Sequence, residues 1–409
     1  MNILVLNAGS SSLKFRLFRM DSQPLSSNSE TVLAGGKVER IGESDAQLTL
    51  FFGANGSPQH QEIGAESVSG AVKEILRLLA KPDSESRSKI SIDAVGHRIV
   101  HGGARFFEPV RVDDAVLKEI DELTELAPLH NSSGLAGIAA IRSALPGVPN
   151  VAVFDTAFHH DLPAVAALYA LPAELSERLQ LRRYGFHGIS YRYVSERLSQ
   201  LLKDAPTIDS IETRVIICHL GAGASVCALR NGRSIDTSMG FTPLEGLIMG
   251  SRSGDVDPGL VLHLLRIGKF TPEELDELLN HKSGLLGLSG KSGDVRDLEK
   301  AASEGHSASQ LALECFAYRV RKYIGAYAAA LGGVDALAFT GGIGENSASM
   351  RERICHDLSF LGLHVDDECN QNATGLEPAS ISGGDGGKVW IVPTDEELQI
   401  AQEVSALLH

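Results

Sequence analysis

Three short stretches of small and hydroxyl-bearing residues each follow an apolar run, a pattern typical of phosphate-binding turns. They are residues 7–12, 219–225 and 340–346. Backbone N–H groups in turns of this kind surround phosphate oxygens, and Lys14, just beyond the first turn, adds a positive charge. A single glycine- or serine-rich hairpin is more often ordinary turn chemistry. Three of them in one chain favour a nucleotide held by two domains.

Arg252 lies at the centre of a long turn, residues 249–259, that is rich in glycine and in polar or charged residues. This composition would hold the guanidinium group rigidly, which recognition of a planar oxyanion requires. Arg98 and His187 also stand in glycine-flanked segments. For these two the alternatives stay open, because an arginine at a strand end is usually a surface charge and a histidine after phenylalanine is usually packed in a core.

Two carboxylates are candidates for a catalytic role. Asp155 follows the apolar run 151–154, and an acid at the C-terminal end of a buried strand is a favoured catalytic position in open α/β sheets. Capping of the next helix explains Asp155 equally well. Glu396 stands between two other acidic residues in the predicted first turn of the last helix, where acids interact favourably with the helix dipole.

The segments that carry these residues alternate between strand-like and helix-like patterns, which predicts the α/β class. A strand, a small-residue turn and a second strand occur at the N-terminus and again over residues 215–230. These two similar hairpins, about half a chain apart, predict a duplicated domain. Helices are predicted at residues 68–79, 113–126, 172–181, 190–202, 259–267, 272–279 and 309–331, and strands at residues 94–100, 151–154 and 336–340.

The remaining segments give weaker patterns. Residues 21–65 are polar with short β-like runs and a turn at Asn55-Gly56, which predicts hairpin decoration of the first domain. Towards the other end, residues 389–392 read as a final strand. Thr394 then starts the last helix, with Glu397 three residues later as a capping box.

Composition excludes several classes of partner. At 409 residues the chain is long for one hydrophobic core, so two domains are expected. The formal net charge of −15 argues against a nucleic-acid or anionic-membrane partner, and no apolar run approaches the length of a membrane span. The five cysteines show no C-x-x-C pair and no framework spacing, which indicates a reducing, cytoplasmic environment.

Together these segments resemble the acetate kinases of the acetokinase family, within the superfamily of acetate and sugar kinases, heat-shock chaperone ATPases and actin. The resemblance covers essentially the whole chain, through the motifs LNAGSSSLKF, HRIVHGG, APLHN, FDTAFH, RYGFHG, DTSMGFTPLEGLIMGSRSGDVDPG, FTGGIGEN and PTDEEL. It implies two duplicated ribonuclease H-like (actin-like ATPase) domains with an interdomain active-site cleft. The first would comprise residues 1–155 with the terminal helix 393–409. The second, residues 156–392, would carry the nucleotide site and the interface of a homodimer.

The resemblance also implies reversible, Mg²⁺-dependent transfer of a phosphoryl group from ATP to acetate, giving ADP and acetyl phosphate, with Mn²⁺ as an alternative metal. Catalytic roles are implied for Asp155, His187 and Arg252, and metal binding for Asn7 and Glu396. Arg98 would bind the substrate carboxylate, and Val100, Leu129, Phe186 and Pro243 would line the acyl pocket. The implied nucleotide contacts are Lys14, His219, Leu220, Gly221, Ala222, Gly223, Asp294, Val295, Arg296, Gly342, Ile343, Gly344, Glu345 and Asn346.

Two positions depart from the commoner pattern of this family. Ala222 stands where many members carry asparagine, so any side-chain contact to the phosphates is lost there. Tyr191 stands where many members carry a second histidine, which puts the role of that position in doubt. A propionate or butyrate kinase with the same chemistry is the nearest alternative. An ATP-dependent switch of the chaperone or actin type is a more distant one.

Overall fold

The computed structural model describes residues 1–9, 11–20, 30–54, 56–80, 90–125, 128–203, 212–384 and 386–409. The chain divides into two compact units. Unit 1 comprises Met1–Ala157 and Asp395–His409, and unit 2 comprises Phe158–Thr394. Each unit contains one mixed β-sheet together with helices, which confirms the predicted α/β class.

The described strands are β1 (Asn2–Ala8), β2 (Ser12–Met20), β3 (Glu30–Glu39), β4 (Ala46–Phe52), β5 (Gln59–Ile63), β6 (Ala94–Ile99), β7 (Val110–Arg111), β8 (Asn150–Phe154), β9 (Arg214–Leu220), β10 (Ala224–Arg230), β11 (Arg233–Thr237), β12 (Ala336–Thr340), β13 (Ala379–Ser380) and β14 (Lys388–Ile391). The described helices are α1 (Val68–Leu79), α2 (Asp114–Glu122), α3 (Pro128–Ala144), α4 (Ala164–Ala167), α5 (Ala173–Leu179), α6 (Gly188–Lys203), α7 (Pro258–Arg266), α8 (Pro272–His281), α9 (Gly284–Ser289), α10 (Val295–Ser303), α11 (Ser307–Leu331), α12 (Gly341–Asn346), α13 (Ala348–Cys355), α14 (Asp367–Asn372) and α15 (Glu396–Leu408).

The sheet of unit 2 repeats the order of six of the eight strands in the sheet of unit 1. In unit 1 the order is β5-β4-β3-β2-β1-β6-β8-β7, and in unit 2 it is β11-β10-β9-β12-β14-β13. In each sheet three consecutive antiparallel strands are followed by two strands that run parallel to the first of them, namely β6 and β8 beside β1, and β12 and β14 beside β9. This repeat of topology confirms the predicted duplication.

Strands β1 and β2 show why the N-terminal hairpin forms. Ile3–Leu6 of β1 is buried on both faces, as expected for a central strand. In β2, Leu13, Phe15 and Leu17 are buried and alternate with polar residues, of which Lys14 is exposed. One face of β2 therefore packs on the core while the other carries charge.

Two segments differ from the sequence-based expectation. Residues 30–63 are not decoration, because β3, β4 and β5 extend the main sheet and bury Val38, Leu48 and Ile63 in its core. Residues 21–29 and the predicted turn residue Asn55 lie outside the described residues. Residues 341–346 form helix α12 rather than an open loop, because Glu345 accepts the Gly341 N–H and closes the turn.

The five cysteines are free thiols, and Cys218 and Cys227 lie fully buried on β9 and β10 as core residues, in line with their apolar surroundings in the sequence. Burial raises the pKa of both thiols. Among the described residues, no helix has both the length and the apolar character needed to cross a membrane.

Helix α15 returns the end of the chain to unit 1. Its N-cap is Asp395, which accepts the Leu398 N–H at 2.9 Å, so the helix begins at Glu396 and not at the predicted Thr394. Arg16 on β2 donates to the Asp395 carboxylate at 2.5 Å. The helix packs closely on β6, because a Cβ on Gly96 would lie only 2.7 Å from a methyl carbon of Ile400. The first turn of α15 is therefore fixed against the sheet.

We expect Asp395→Ala to destabilise unit 1 by about 2 kcal/mol, because it removes an N-cap and the partner of a half-buried arginine. Asp113→Ala is the matched control. It removes the α2 cap on the Val116 N–H, and among the described residues Asp113 forms no ion pair. That change should cost about 1 kcal/mol. Chemical denaturation measures both values, and equal losses would show that the Arg16 contact contributes nothing.

Candidate active site

Three predicted site residues meet at one edge of the unit 1 sheet. Asn7 lies near the end of β1, Arg98 on β6, and Asp155 directly after β8. These three strands are parallel neighbours, so their carboxyl ends lie side by side. This is the edge at which open α/β sheets place their ligands.

Arg98 connects the other two residues. Its Nε donates to Asp155 Oδ1 at 3.2 Å, its Nη2 to Asp155 Oδ2, and its Nη1 to Asn7 Oδ1 at 3.1 Å. The Asp155 side chain is almost fully buried, and that of Arg98 is 19% exposed. Burial opposes the charge on Arg98, but the nearby carboxylates, Asp155 first and then Glu396, together more than offset it and raise the pKa of the guanidinium. This two-pronged pair holds Arg98 rigidly and fully charged.

Glu396, the first residue of α15, joins the same cluster. Burial raises the pKa of its carboxyl group to about 7; Arg98 acts in the opposite direction, and the Asp155 charge adds to the rise. Lys14, which pairs with Asn7 across β1 and β2, is also close enough to lower the pKa of Glu396. The carboxyl groups of Asp155 and Glu396 thus lie close together, and the positive charges of Arg98 and Lys14 offset only part of the effect of burial and of their mutual repulsion.

The oxygen atoms of this cluster are suited to a hard divalent cation. Asn7, Asp155 and Glu396 offer amide and carboxylate oxygens, the ligand type that Mg²⁺ and Mn²⁺ prefer. Among the described residues, no group of three or more His, Cys, Asp or Glu side chains could hold a metal ion. A cation bound here would therefore need the Asn7 amide, water or a substrate to complete its ligands.

In unit 2 the glycine-rich turn between β9 and β10 is surrounded by three other backbone segments. The Gly250 N–H donates to Ala222 O at 3.0 Å. A Cβ on Gly293 would lie 2.7 Å from Gly250 O, and one on Gly341 would lie 2.7 Å from Leu220 O. Only glycine permits such close approach at these positions. The structure therefore brings the predicted nucleotide residues near 220–223, 293 and 341 together.

His187 and Arg252 both lie beside this turn. A Cβ on Gly223 would lie 3.4 Å from His187 Nε2 and 3.9 Å from Arg252 Nη1. The His187 ring stacks on His219 with centroids 4.2 Å apart. His187 has a φ of 59°, an uncommon value for a side chain of this size, and such strain concentrates at functional sites. These contacts place a guanidinium and an imidazole next to the partly exposed backbone of Gly223.

The Arg252 turn is closed by backbone bonds. Gly246 donates to Asp255 Oδ1 at 2.8 Å and Asp255 donates back to Gly246 O at 3.0 Å. Within the turn, the Met249 N–H donates to Arg252 O at 3.1 Å, and Arg252 Nη1 donates to Pro243 O at 3.3 Å. The rigid guanidinium predicted from the turn's composition has these contacts as its physical basis.

The other predicted nucleotide-binding residues differ in which of their atoms are accessible to a ligand. Gly342 and Asn346 are exposed on α12, and the Glu345 carboxylate is occupied by Gly341 N–H, Thr340 Oγ1 and Thr394 N–H. Asp294 caps α10 and pairs with exposed Arg296 at 2.6 Å. The side chains of Leu220 and Val295 are buried in the core, so only their backbone atoms remain for a ligand. Ile343 and Gly344 complete α12.

The predicted acyl-pocket residues come from both units. Val100 is buried directly after β6, two residues after Arg98, in unit 1. Phe186 is buried next to His187 in unit 2, and Pro243 is partly exposed there, in contact with Arg252. The side chain of Leu129 lies outside the described part of the structure.

Two residues that the sequence does not single out, His159 and Ser190, hold the site residues in place through hydrogen bonds. His159 lies 3.1 Å from Phe186 O and 2.7 Å from Ser234 Oγ, and it anchors the backbone just before His187. Ser190 joins His219 Nδ1 at 2.8 Å to Thr394 Oγ1 at 2.9 Å. The FDTAFH and RYGFHG motifs contain His159 and precede Ser190, but contacts over such sequence distances leave no local pattern.

Comparison with known proteins finds matches along the whole chain. The family model described as the acetokinase family matches residues 2–402. The chain is 47% identical to acetate kinase of Treponema denticola over 418 aligned positions, with all of both chains covered. The crystal structure of Porphyromonas gingivalis acetate kinase is similar with a TM-score of 0.87, 42% identity and all of both chains covered. A propionate kinase structure from Francisella tularensis subsp. tularensis gives 0.87, 37% identity and 98% of each chain.

These full-length similarities place the protein among the phosphotransferases whose acceptor is a carboxyl group. The chain belongs to the acetokinase family, which confirms the resemblance found in its motifs. The two solved structures have the same TM-score, so the fold alone does not distinguish an acetate kinase from a propionate kinase.

Two buried histidines support the clusters and make the fold sensitive to acid. His97, beside Arg98, donates to Asn150 Oδ1 at 2.8 Å. Burial lowers the pKa of both His97 and His159 to about 4. In the unfolded chain a histidine titrates near 6.5, so between these values the unfolded state binds more protons. Stability should be full above pH 6.5 and should fall as the pH drops towards 4.

The loss approaches roughly 3 kcal/mol for each histidine. His97→Gln keeps a donor for Asn150 and does not titrate, so its denaturation midpoint should fall less between these pH values than that of the wild type. His364→Gln, at an exposed position, is the control and should behave as the wild type. A wild-type midpoint that is constant over this range would contradict the prediction.

Proposed function

We propose that the protein catalyses the reversible transfer of a phosphoryl group from ATP to acetate, giving acetyl phosphate and ADP. The observation that carries the proposal is the Arg98 guanidinium, held at the ends of three parallel strands by Asp155 and Asn7. The described contacts use three of its five N–H donors, which leaves donors for a substrate carboxylate. Full-length similarity to acetate kinases supports the same reaction.

The chemistry explains why cations surround the site. A carboxylate that attacks a phosphoryl group is one anion approaching another. Phosphoryl transfer depends mainly on positioning and on stabilisation of charge at the equatorial oxygens. Acetate is already ionised at neutral pH, so no general base is required. Arg98, Arg252 and His187 supply positive or hydrogen-bonding groups for these charges.

The roles divide between the two units. Arg98 binds the acetate carboxylate, and Val100, Leu129, Phe186 and Pro243 contact its methyl group. His187 and Arg252 donate to the transferring phosphoryl group. The nucleotide is bound by Lys14, by residues 219–223 and 294–296, and by residues 342–346. The proposal requires both sets of residues to act on one phosphoryl group, and the cleft expected between the domains stays a prediction.

Asn7 and Glu396 are proposed to hold Mg²⁺, or Mn²⁺, in the oxygen-rich cluster of unit 1. When bound, such an ion neutralises phosphate charge. The raised pKa of Glu396, caused first by burial and then by the Asp155 charge, indicates a carboxylate that a nearby cation would stabilise.

Asp155 is proposed as an orienting group rather than a base, because both of its oxygens accept from Arg98.

A homodimer formed through unit 2 is proposed because α7 exposes Leu260, Leu262 and Leu265. A cytoplasmic location is proposed because all five cysteines are free thiols.

Trapping of the acyl phosphate with hydroxylamine tests the proposal. With Mg-ATP, the purified protein should form acetyl hydroxamate. Parallel assays with propionate and butyrate decide the acyl preference, and one extra methylene shifts discrimination by only about 1–3 kcal/mol, so some activity with propionate is expected. ATP hydrolysis without any acyl product would instead indicate an ATPase switch and would overturn the proposal.

Asp155→Asn should lower kcat by about 10²-fold or more. The neutral amide has one oxygen instead of two and no charge, so it cannot form the two-pronged ion pair that orients the Arg98 guanidinium. Since Asp155 orients and does not accept a proton, the deficit should be the same at neutral and alkaline pH. Asp121→Asn on the exposed face of α2 is the control and should match the wild type. Near-normal turnover of Asp155→Asn would reject both the orienting role and the base role.

Gly223→Ala probes the space beside His187 and Arg252. The new methyl group would make only ordinary van der Waals contacts there, so the thermal unfolding midpoint should not change. Because the methyl group occupies the proposed phosphoryl position, kcat/KM should fall about tenfold. Gly325→Ala on α11, where a Cβ meets no atom within 4 Å, should leave activity unchanged. Unaltered kcat/KM in Gly223→Ala would place the reaction elsewhere.

A further inference from the structure

A buried hydrogen-bonded line runs behind His187, on the side away from Gly223. Tyr191 Oη lies 2.5 Å from Ser225 Oγ, which lies 2.9 Å from His187 Nδ1. Tyr191 is one helical turn after His187, and its N–H donates to His187 O at 2.9 Å. Tyr191 and Ser225 are both fully buried. Tyr191, one of the two positions at which the sequence departs from the commoner family pattern, is therefore linked to a proposed catalytic residue through the Ser225 hydroxyl group.

The direction of the bonds follows from the donors available. Burial raises the pKa of Tyr191, so the phenol keeps its proton, and a buried phenol proton needs an acceptor. Ser225 Oγ, 2.5 Å away, is the acceptor that the described contacts offer this proton, so Tyr191 donates to it. The single hydroxyl proton of Ser225 is then directed to its other neighbour, His187 Nδ1.

The second nitrogen of His187 faces the proposed reaction. Nε2 is the atom nearest to a Cβ built on Gly223, with Arg252 Nη1 next to it. If Nδ1 accepts from Ser225, a neutral ring carries its proton on Nε2. That N–H can donate to a phosphoryl oxygen without placing a second positive charge beside Arg252.

Contacts on several sides restrict the orientation of the His187 ring. It stacks on His219 with an interplanar angle of 23°. His159 anchors the carbonyl of Phe186, which precedes His187, and the His187 φ of 59° is held between this contact and the start of α6. The orientation of the ring is thus fixed from its backbone, its face and its Nδ1 edge.

We propose that Tyr191 and Ser225 are positioning residues that fix His187 as the neutral Nε2–H tautomer, aimed at the phosphoryl group beside Arg252. The kinetic part of this inference rests on the proposed function, whereas the tautomer itself does not. Neither residue touches the substrates; both act through His187.

The tautomer is measured by NMR on the full-length protein with ring-¹⁵N-labelled histidine, the His187 signals being assigned by their loss in His187→Gln. At neutral pH the wild type should show an unprotonated Nδ1 and a protonated Nε2. In Ser225→Ala and Tyr191→Phe the His187 signals should shift towards a mixture of tautomers. A proton on Nδ1 in the wild type would overturn the inference, whether or not the protein is active.

Kinetics test the positioning role. Tyr191→Phe and Ser225→Ala should each lower kcat about tenfold, with KM for ATP and for the acid within about twofold. In a His187→Ala background neither change should lower kcat further, because both act through the missing ring. Tyr184→Phe, which removes a buried hydroxyl that donates to Gln180 O, controls for the loss of a buried phenol group and should keep wild-type kcat.

A merely structural role gives a different result. It would lower kcat in the His187→Ala background as much as in the wild type, or would raise both KM values together with a lower thermal midpoint, and either result would overturn the positioning role. Absence of acyl hydroxamate from the wild type with every acid would reject the proposed function, and the tautomer measurement would still decide the assignment of His187.

Discussion

The Arg98–Asp155 ion pair is the interaction that holds together the polar cluster at the sheet edge of unit 1. Taking a guanidinium and a carboxylate out of water is costly, and only good geometry between them offsets that cost. Here two parallel bonds to one carboxylate, with the Asn7 amide as a third partner, provide that geometry. Because each partner comes from a different strand, the pair also requires β1, β6 and β8 to lie in one register.

Unit 2 reaches a similar result by other means. Its cluster depends on close approach of backbones, since Gly250, Gly293 and Gly341 permit contacts that a side chain would block. The charged and aromatic groups are then placed around this backbone by hydrogen bonds to carbonyl and hydroxyl groups. Opposite charges thus order the cluster of unit 1, while the absence of side chains permits the close packing of the cluster in unit 2.

The parts of the molecule that the sequence predicts well are those with strong local patterns. Strand β12 and helix α11 follow continuous apolar or periodic runs, and the duplication follows from two similar hairpins. Strands β4 and β5 are harder to assign to the main sheet, because buried and exposed residues alternate along β4 and β5 has a single apolar residue. The ion pair between Arg16 and Asp395 leaves no local pattern, since these residues are 379 positions apart and meet only through the fold. The Tyr191–Ser225 contact likewise depends on how α6 lies against β10.

The order of segments along the chain has a consequence for synthesis. The chain leaves unit 1 at Ala157, builds all of unit 2, and supplies α15 only at the end. During translation, the surface of β6 around Gly96 stays uncovered and Glu396 is absent until the final residues emerge. N-terminal segments generally fold first on the ribosome. Unit 1 is therefore synthesised first but is completed only after unit 2. A truncated chain that lacks α15 would contain Arg98 and Asp155 but not Glu396, the carboxylate that completes their cluster.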